Sequence, residues 1–247
     1  MRNRSAALVP LCAFLIVWEV GCRLFNVQPF ILPPPSRVLA VSFLQAPILF
    51  SHAMTTAAEI LLGLALALAV AVPLAISMFY HKIVERALSP LLVASQAIPV
   101  FALAPLLVVW LGYGVTSKVV MAAVIIFFPI AVSLLEGFKN CDKDYELLFN
   151  LMDATFWQKL RLLHWPWALP SFFAGLKMAV AVATIGAVIG EWVGAQKGLG
   201  YLMIQMNARL RADMVFASIL WLTVIGMGLW GLVGLLENKV LYWKKEG

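Results

Sequence analysis

The sequence predicts an all-α membrane protein with about six transmembrane helices. Hydrophobic residues occupy 63% of the 247 positions and charged residues only 12%, and the mean hydropathy is +0.95. A soluble domain carries about a quarter charged residues, so this composition indicates a protein embedded in a bilayer. Six segments are apolar over about 20 residues, the length that crosses a bilayer as a helix. These segments are approximately 6–25, 57–80, 88–111, 115–138, 171–195 and 215–236.

The distribution of basic residues predicts the orientation. If the N-terminus is inside, eleven Lys and Arg residues fall on the inner side and six on the outer side. The inner set is Arg2, Arg4, Lys82, Arg86, Lys139, Lys143, Lys159, Arg161, Lys239, Lys244 and Lys245. The outer set is Arg23, Arg37, Lys118, Lys197, Arg209 and Arg211. The positive-inside rule therefore predicts cytoplasmic termini and a cytoplasmic 139–170 loop in a multi-pass membrane protein. The same rule explains the net charge of +6 without a nucleic-acid partner.

Neither the N-terminus nor the cysteines predict a cleaved signal peptide, a disulfide framework or a metal site. Arg2 and Arg4 precede an apolar run, as in a signal peptide, but the run is long enough to span and is expected to remain as the first helix. Cys12, Cys22 and Cys141 are too few and too scattered to predict a disulfide framework or a metal site. We therefore expect no metal and no cofactor.

The loop between the fourth and fifth predicted spans is the most charged stretch among its neighbours. Asp142 or Asp144 is placed to cap a first short helix that ends at residue 149 or 150. Thr155 and Gln158 form a Thr-x-x-Gln capping box, which predicts that a second short helix starts there. The two helices are expected to form an L-shaped lever that meets a soluble partner.

The third predicted span is interrupted by prolines. Pro90, Pro99 and Pro105 fall in it or at its edge, and Pro99 frees the carbonyl of Ser95 from its helical hydrogen bond. Broken helices are tolerated where protein or a water-filled path satisfies the freed backbone groups. One interpretation is therefore that Ser95, Gln96 and Pro99 border a translocation path. The alternative is that Gln96 only repairs the kink.

The fifth predicted span carries two ionisable residues. Gly186 and Gly190 form a small-xxx-small face that lets another helix approach closely. Lys177 lies about two turns inside and is expected to snorkel to the cytoplasmic surface. Glu191 lies near the outer end and is a candidate for the translocation path, because ionisable residues in spans are often functional. The alternative is a hydrogen-bonded structural acid.

Two features are predicted on the outer face. Pro33, Pro34 and Pro35 force an extended path, after which Ser36 is expected to cap a short amphipathic helix through residue 44. Arg209 and Arg211 follow the fifth span and are candidates for docking an acidic partner surface. The alternative for this arginine pair is a solvated face.

Several of these segments resemble one family of transporters. The third span contains Gln96-Ala97-Ile98-Pro99, then Ala104-Pro105-Leu106, then Trp110-Leu111-Gly112-Tyr113-Gly114. These motifs and Gly198-Leu199-Gly200-Tyr201 are similar to permeases of nitrate, taurine and sulfonate ABC importers. The fifth span contains Phe172-Phe173-x-Gly175-Leu176-Lys177 and Ile185-Gly186-Ala187-Val188-Ile189-x-Glu191-Trp192. It looks most like the branch that imports the hydroxymethylpyrimidine precursor of thiamine.

The 139–170 loop resembles the coupling loop of the same permeases, with departures. The family pattern is Glu-Ala-Ala…Gly…Ile-x-Leu-Pro. Anchoring its Leu-Pro on Trp165-Pro166 places the triplet on Leu147, Leu148 and Phe149, and the glycine on Asp153. Asp tolerates the left-handed conformation better than most residues, so this departure is physically mild. The resemblance implies that Glu146, Leu147, Leu148, Phe149, Asp153 and Ala154 couple the permease to an ATPase.

The resemblance implies a type I ABC importer permease fold. Residues 1–247 would form one transmembrane domain, with a first span and an outer amphipathic segment in 1–54 and a core in 55–247. Two identical copies would pair in the lipid bilayer, an external binding protein would deliver a small molecule, and cytoplasmic subunits would hydrolyse ATP. The sequence has no Gly-x-x-x-x-Gly-Lys-Ser/Thr phosphate loop, so that hydrolysis is expected on another chain. The implied substrate is a thiamine pyrimidine precursor, and the alternative is taurine, an alkanesulfonate or nitrate.

Two other functional classes are less consistent with the sequence. An intramembrane enzyme needs a nucleophile–base pair, a metal cluster or paired acids. His52, His81 and His164 are dispersed, and neither His-Glu-x-x-His nor Gly-x-Ser-x-Gly occurs. A secondary transporter usually shows internal repeats and two matching broken helices. This sequence shows one clearly interrupted span and no repeat.

Overall fold

The computed structural model describes the backbone of residues 4–243 and the side chains of residues 9–243. Within these residues the secondary structure is helical, without strands. The helices are α1 (Arg4–Leu24), α2 (Pro35–Leu44), α3 (Ala46–Tyr80), α4 (Lys82–Ala97), α5 (Val100–Leu111), α6 (Val115–Lys139), α7 (Lys143–Leu151), α8 (Phe156–Lys159), a π-helical turn (Leu160–His164), α9 (Trp165–Gly194), α10 (Leu199–Ala208) and α11 (Ala212–Val240).

The membrane-protein class predicted from composition is confirmed. In the described residues, four helical stretches are long and apolar enough to cross a membrane: α3, α6, α8 continuing into α9, and α11. The bent pair α4–α5 makes a fifth if it counts as one span. The 21 residues of α1 have the length of a further span. Six spans and cytoplasmic termini stay predictions, since Arg2, Lys244 and Lys245 lie outside the described residues.

The third predicted span is two helices rather than one. α4 and α5 meet at an angle of 100° across Ile98 and Pro99. Ile98 is extended, with ψ at 122°, because the ring of a following proline disfavours the helical conformation. Pro90 and Pro105 lie inside α4 and α5 without ending them. Pro99 is therefore the proline that breaks this segment.

One helix is longer than its predicted span, and one predicted helix cap is wrong. α3 begins at Ala46, so it is longer than the predicted 57–80 span, and the expected boundary between residues 54 and 55 falls inside a helix. α2 begins at Pro35 with Pro34 as its N-cap, and Ser36 does not cap it. Ser36 instead donates from its hydroxyl and its backbone N–H to the carboxylate of Glu19, at 2.8 and 3.0 Å. Pro35 occupies the first helical position, where its fixed φ is favourable and its missing N–H costs no hydrogen bond, so Ser36 lies inside the first turn rather than at the cap.

Helix α6 forms the centre of the bundle, because it packs along both α3 and α9. Small residues bring the backbones together: a Cβ at Gly63 would lie 2.7 Å from that of Ala122, and one at Gly186 would lie 3.0 Å from the Cα of Ala122. The predicted small-residue face of α9 is therefore used, and it faces α6. Gly175 is the tightest point of this contact, since a Cβ there would lie 2.5 Å from the Cβ of Ser133.

Replacing Gly175 by Ala tests this contact. Alanine normally favours a helix over glycine, but the added methyl overlaps Ser133 and the carbonyl of Pro129. We expect a loss of about 1–3 kcal/mol in stability, the usual cost of overpacking. The matched control is Gly228→Ala on α11, where no atom lies within 4 Å of the new methyl. Thermal unfolding of the purified protein measures both; equal melting temperatures would contradict the close α6–α9 contact.

Candidate functional site

The 139–170 loop, named here the coupling loop after its predicted role, contains both predicted helix starts. α7 spans Lys143–Leu151, and the side chain of its N-cap Asp142 accepts a hydrogen bond from the backbone N–H of Asp144 at 3.0 Å. α8 starts after Thr155, which forms the predicted capping box with Gln158 at 2.7 and 3.4 Å. Both starts follow from short-range hydrogen bonds that satisfy the free N–H groups of a helix end.

The corner between α7 and α8 is fixed by the backbone and by one side-chain contact. Asp153 has a φ of 49°, the left-handed conformation that Asp tolerates better than most residues. The backbone N–H of Ala154 donates to the carbonyl of Phe149 at 3.0 Å. Lys159 on α8 donates to the side chain of Asn150 on α7 at 2.5 Å. The two helices are therefore held at a defined angle, with Asp153 and Ala154 at the corner as predicted.

The second arm of this corner does not end as a short helix. α8 continues through the π-helical turn Leu160–His164 into α9, so one helical rod runs from residue 156 to residue 194. Leu160 and Leu163 are buried, and Leu160 packs in the same cluster as Phe138 of α6. The prediction of a separate second helix is wrong, because a wider helical turn carries the chain on where a break was expected.

One face of the corner is apolar and exposed. Leu151 and Met152 expose 76% and 70% of their surface. The exposed set, named here the coupling face, comprises Leu147, Leu148, Leu151, Met152 and Trp157. Its four α7-end members recur at helical spacing, so they lie together on one side. Leu147, Leu148, Leu151 and Met152 lie in the charged segment between α6 and the α8–α9 span, where contiguous exposed apolar residues are typical of a protein interaction surface.

Phe149 and Glu146 point away from the coupling face. Phe149 is half-buried in a groove that it lines with Tyr145, Leu163, Pro166 and Pro170. Glu146 is half-buried beside His164. Of the residues predicted to contact an ATPase, the structure therefore exposes Leu147 and Leu148 and turns Phe149 and Glu146 toward the bundle.

The bend between α4 and α5 borders two open cavities. Gln96 lines a cavity of about 410 Å³ with Phe101 of α5, Phe128 of α6 and Met178 of α9. Ser95 lines a second cavity of about 430 Å³ between α3, α4 and α6. The Ser95 hydroxyl donates to the carbonyl of Leu92 at 2.7 Å and accepts from the Gln96 amide at 3.2 Å. The two predicted path residues thus lie beside open space, next to the break at Pro99.

Glu191 lies away from these cavities in a buried polar cluster. It is 1% exposed and accepts hydrogen bonds from the hydroxyl of Thr56 at 2.6 Å and from the backbone N–H of Gly200 at 2.5 Å. The Thr56 hydroxyl also accepts from the backbone N–H of Leu199 at 2.9 Å. Glu191 therefore fastens α9 to α3 and to the start of α10, the arrangement expected of a hydrogen-bonded structural acid.

Glycine is required where the chain folds over Glu191. Gly198 has a φ of 125°, and a Cβ there would lie 2.2 Å from the carboxyl carbon of Glu191. His52 of α3 pairs with the backbone of Gly198 at 2.9 and 3.0 Å. The Gly198-x-Gly200 motif was visible in the sequence, but Thr56 and His52 carried no signal that linked them to it.

A second buried charge was missed by the sequence analysis. Glu59 on α3 is 1% exposed, and its carboxylate lies 3.6 Å from the ammonium group of Lys118 on α6. Lys118, which the charge count assigned to the outer side, is itself buried. The acid on α3 and the base on α6 thus face each other, as ionisable residues within membrane spans usually do.

The remaining basic candidates have acidic partners or remain exposed. Arg211 donates to Asp213 at 3.0 Å, and Arg37 of α2 contacts the same carboxylate at 3.3 Å. Arg209 is exposed. Lys177 pairs with Glu237 of α11 and lies 5.4 Å from the ring of Trp230. The ammonium group of Lys177, which was predicted to extend toward the cytoplasmic surface, therefore forms an ion pair with Glu237 of α11.

Comparison with known proteins places this chain among membrane transport components. Residues 60–242 match the family model described as binding-protein-dependent transport system inner membrane component. The chain is 41% identical to the formylaminopyrimidine transport permease protein ThiX of Halalkalibacterium halodurans, with 100% of both chains covered. It is 37% identical to the riboflavin transport system permease protein RibX of Chloroflexus aurantiacus, covering 96% of this chain and 89% of the relative. It is 28% identical to the taurine transport system permease protein TauC of Escherichia coli, covering 99% and 92%.

Replacing Thr56 by Val tests the cluster around Glu191. Valine keeps the shape but removes the hydroxyl, so a buried carboxylate oxygen of Glu191 and the N–H of Leu199 lose a partner. We expect a loss of about 1–3 kcal/mol in stability. The matched control is Thr223→Val, because the exposed Thr223 hydroxyl bonds only the carbonyl of Ile219 in its own helix. Thermal unfolding of both variants is the measurement; an unchanged Thr56→Val protein would show that Glu191 does not fasten these helices.

Proposed function

The chain belongs to the family of binding-protein-dependent transport system inner membrane components, and from this membership we propose that it imports an aminopyrimidine of the thiamine-precursor class. It is the multi-pass permease subunit of an ABC importer in the bacterial inner membrane, a transport protein rather than an enzyme. The observation that carries the substrate proposal is the 41% identity, over the full length of both chains, to a formylaminopyrimidine permease.

The cavity beside Gln96 supports an aromatic substrate over an anion. Its lining combines the rings of Phe101 and Phe128 with the thioether of Met178 and one amide. Flat heteroaromatic rings stack on such side chains, and the amide offers both a donor and an acceptor to ring nitrogens and amino groups. Among the described residues that line it there is no Lys or Arg. A sulfonate or nitrate would lack a cationic partner here, which makes the taurine and sulfonate alternative weaker.

The coupling face supports a separate ATPase subunit. Its apolar side chains are presented by a corner that is capped, fixed by hydrogen bonds and continuous with α9. Burial of a leucine in a partner groove contributes about 1.5–3 kcal/mol, so two or three such residues suffice for a specific contact. We place ATP hydrolysis on that partner, and movement of the partner would reach the membrane span through α8 and α9.

The remaining partners are proposed from the same architecture. Two copies of the chain are expected to pair, with the open Gln96 cavities facing the shared path. An external binding protein would dock on the predicted outer face, where Arg209 is exposed. Arg211 contributes less to docking than predicted, because its guanidinium is already paired with Asp213.

Reconstituted uptake tests the proposed function. The purified permease, its ATPase subunit and its binding protein are placed in lipid vesicles, and ATP-dependent uptake is measured. We expect uptake of a formylaminopyrimidine or hydroxymethylpyrimidine and little uptake of taurine. Uptake of taurine in preference to the pyrimidines would overturn the substrate proposal.

Two further measurements test the proposed partners. The mass of the purified assembly should correspond to two permeases. Arg209→Glu should weaken capture of the loaded binding protein in a salt-dependent way.

Two variants of the coupling loop separate partner contact from internal packing. Leu151→Asp changes a residue that is 76% exposed, so we expect the ATPase to bind roughly tenfold to a hundredfold more weakly without loss of permease stability. Phe149→Asp changes a residue in the inner groove, so we expect a lower melting temperature of the isolated permease. Co-purification and thermal unfolding are measured on both. The assignment of the two faces would be reversed by two results together. Phe149→Asp would lose ATPase binding at unchanged permease stability, and Leu151→Asp would bind the ATPase fully.

A further inference from the structure

Three potential metal-binding side chains converge beneath the coupling helix. Cys141 follows α6, Glu146 lies on α7, and His164 closes the π-helical turn before α9. One ligand atom from each lies within 4.8 Å of the other two. This group was not predicted from the sequence, because its members are dispersed along the loop and the cysteine has no second cysteine nearby.

One ring nitrogen of the buried His164 has no hydrogen-bond partner among the described residues. It is 4% exposed, and its Nδ1 is buried without a hydrogen-bond partner in the described residues. The nearest acidic oxygen is Oε1 of Glu146 at 3.8 Å, which is too far for a hydrogen bond. The rings of Phe79 and Tyr80 pack edge-on against the imidazole, with centroids 4.8 and 5.7 Å away. An unpaired buried polar group costs about 1–3 kcal/mol, so this nitrogen points to a ligand at the site.

The other two groups are also available. Cys141 is a buried free thiol whose sulfur has only a weak contact, 3.9 Å, with the carbonyl of Asp142. Glu146 is half-buried, so its side chain can adjust toward the other two.

The donor set identifies the class of ligand. Thiolate, imidazole and carboxylate are the three ligand types of zinc, whereas magnesium and calcium are bound through oxygen. Ligand atoms around tetrahedral zinc lie about 3.3–3.8 Å apart, by simple geometry from bonds of about 2.0–2.3 Å. The distance of 3.8 Å between Nδ1 of His164 and Oε1 of Glu146 is at the upper end of this range, and the remaining distances of up to 4.8 Å would have to shorten by about 1 Å when a metal binds.

We propose that Cys141, Glu146 and His164 form a binding site for a zinc-like divalent cation at the base of the coupling loop. Binding would transfer the thiol proton of Cys141 to solvent and leave a thiolate on the metal. The bound ion would connect the end of α6, the coupling helix α7 and the start of α9. It would therefore stiffen the joint through which the coupling face is attached to the membrane spans. The proposal goes beyond the transport function and does not depend on the substrate.

Direct binding to the purified full-length permease tests the proposal. The protein carries a histidine-free tag, is stripped with a chelator and is titrated with Zn²⁺ in detergent, with Co²⁺ as a spectroscopic probe. We expect one tightly bound zinc per chain, a higher melting temperature with zinc, and a thiolate-to-cobalt absorption band. These readouts need neither ATPase nor substrate, so failure of the import assay would leave them intact.

Matched variants complete the test. Cys141→Ser keeps the shape but removes the sulfur, and we expect zinc affinity to fall by more than about a hundredfold with loss of the cobalt band. Cys22→Ser removes another buried free cysteine and should leave binding unchanged. Glu146→Gln, at a half-exposed position, should weaken binding without unfolding the protein. No stoichiometric zinc in the wild-type protein, or full affinity retained in Cys141→Ser and Glu146→Gln, would overturn the site.

Discussion

The close contact of α6 with α3 and α9 is the interaction on which the rest of the structure depends. Lipid tails are as apolar as leucine, so helices in a bilayer associate through tight packing rather than through hydrophobic burial. Gly63 on α3 and Gly175 and Gly186 on α9 remove the side chains that would hold α6 away. Because α6 supports α9 along its length, the two ends of α9 keep a fixed relation to each other.

The two ends of α9 carry different chemistry. At the predicted outer end, the carboxylate of Glu191 accepts hydrogen bonds from Thr56 and Gly200. The turn from Gly198 to Gly200 packs closely against this carboxylate and closes the polar cluster. At the other end, α9 continues without a loop into α8 and the fixed corner at Asp153. A displacement of the corner therefore acts directly on the helix that borders the Gln96 cavity. The continuous rod gives a physical route by which the proposed ATPase on the coupling face would act on the proposed membrane path.

The broken helix supplies the complementary element. Pro99 and the extended Ile98 turn the chain by 100°, which leaves Ser95 and Gln96 beside open cavities rather than in a packed helix interface. The packed α3–α6–α9 core is rigid by comparison. An importer needs both a stable frame and an open region within the bilayer, and here they lie on different helices.

The sequence by itself determined the features that depend on residues a few positions apart. The Thr155–Gln158 capping box, the Asp142 cap, the break at Pro99 and the membrane class each rest on local hydrogen bonds, ring geometry or composition. Tertiary structure decided the rest, because it depends on contacts between distant segments. Thr56 meets Glu191 across 135 positions, Ser36 bonds Glu19 on another helix, and packing against the bundle turns Phe149 inward while Leu151 stays exposed. The sequence shows that α7 carries apolar residues, but only its neighbours in the fold determined which of them are covered.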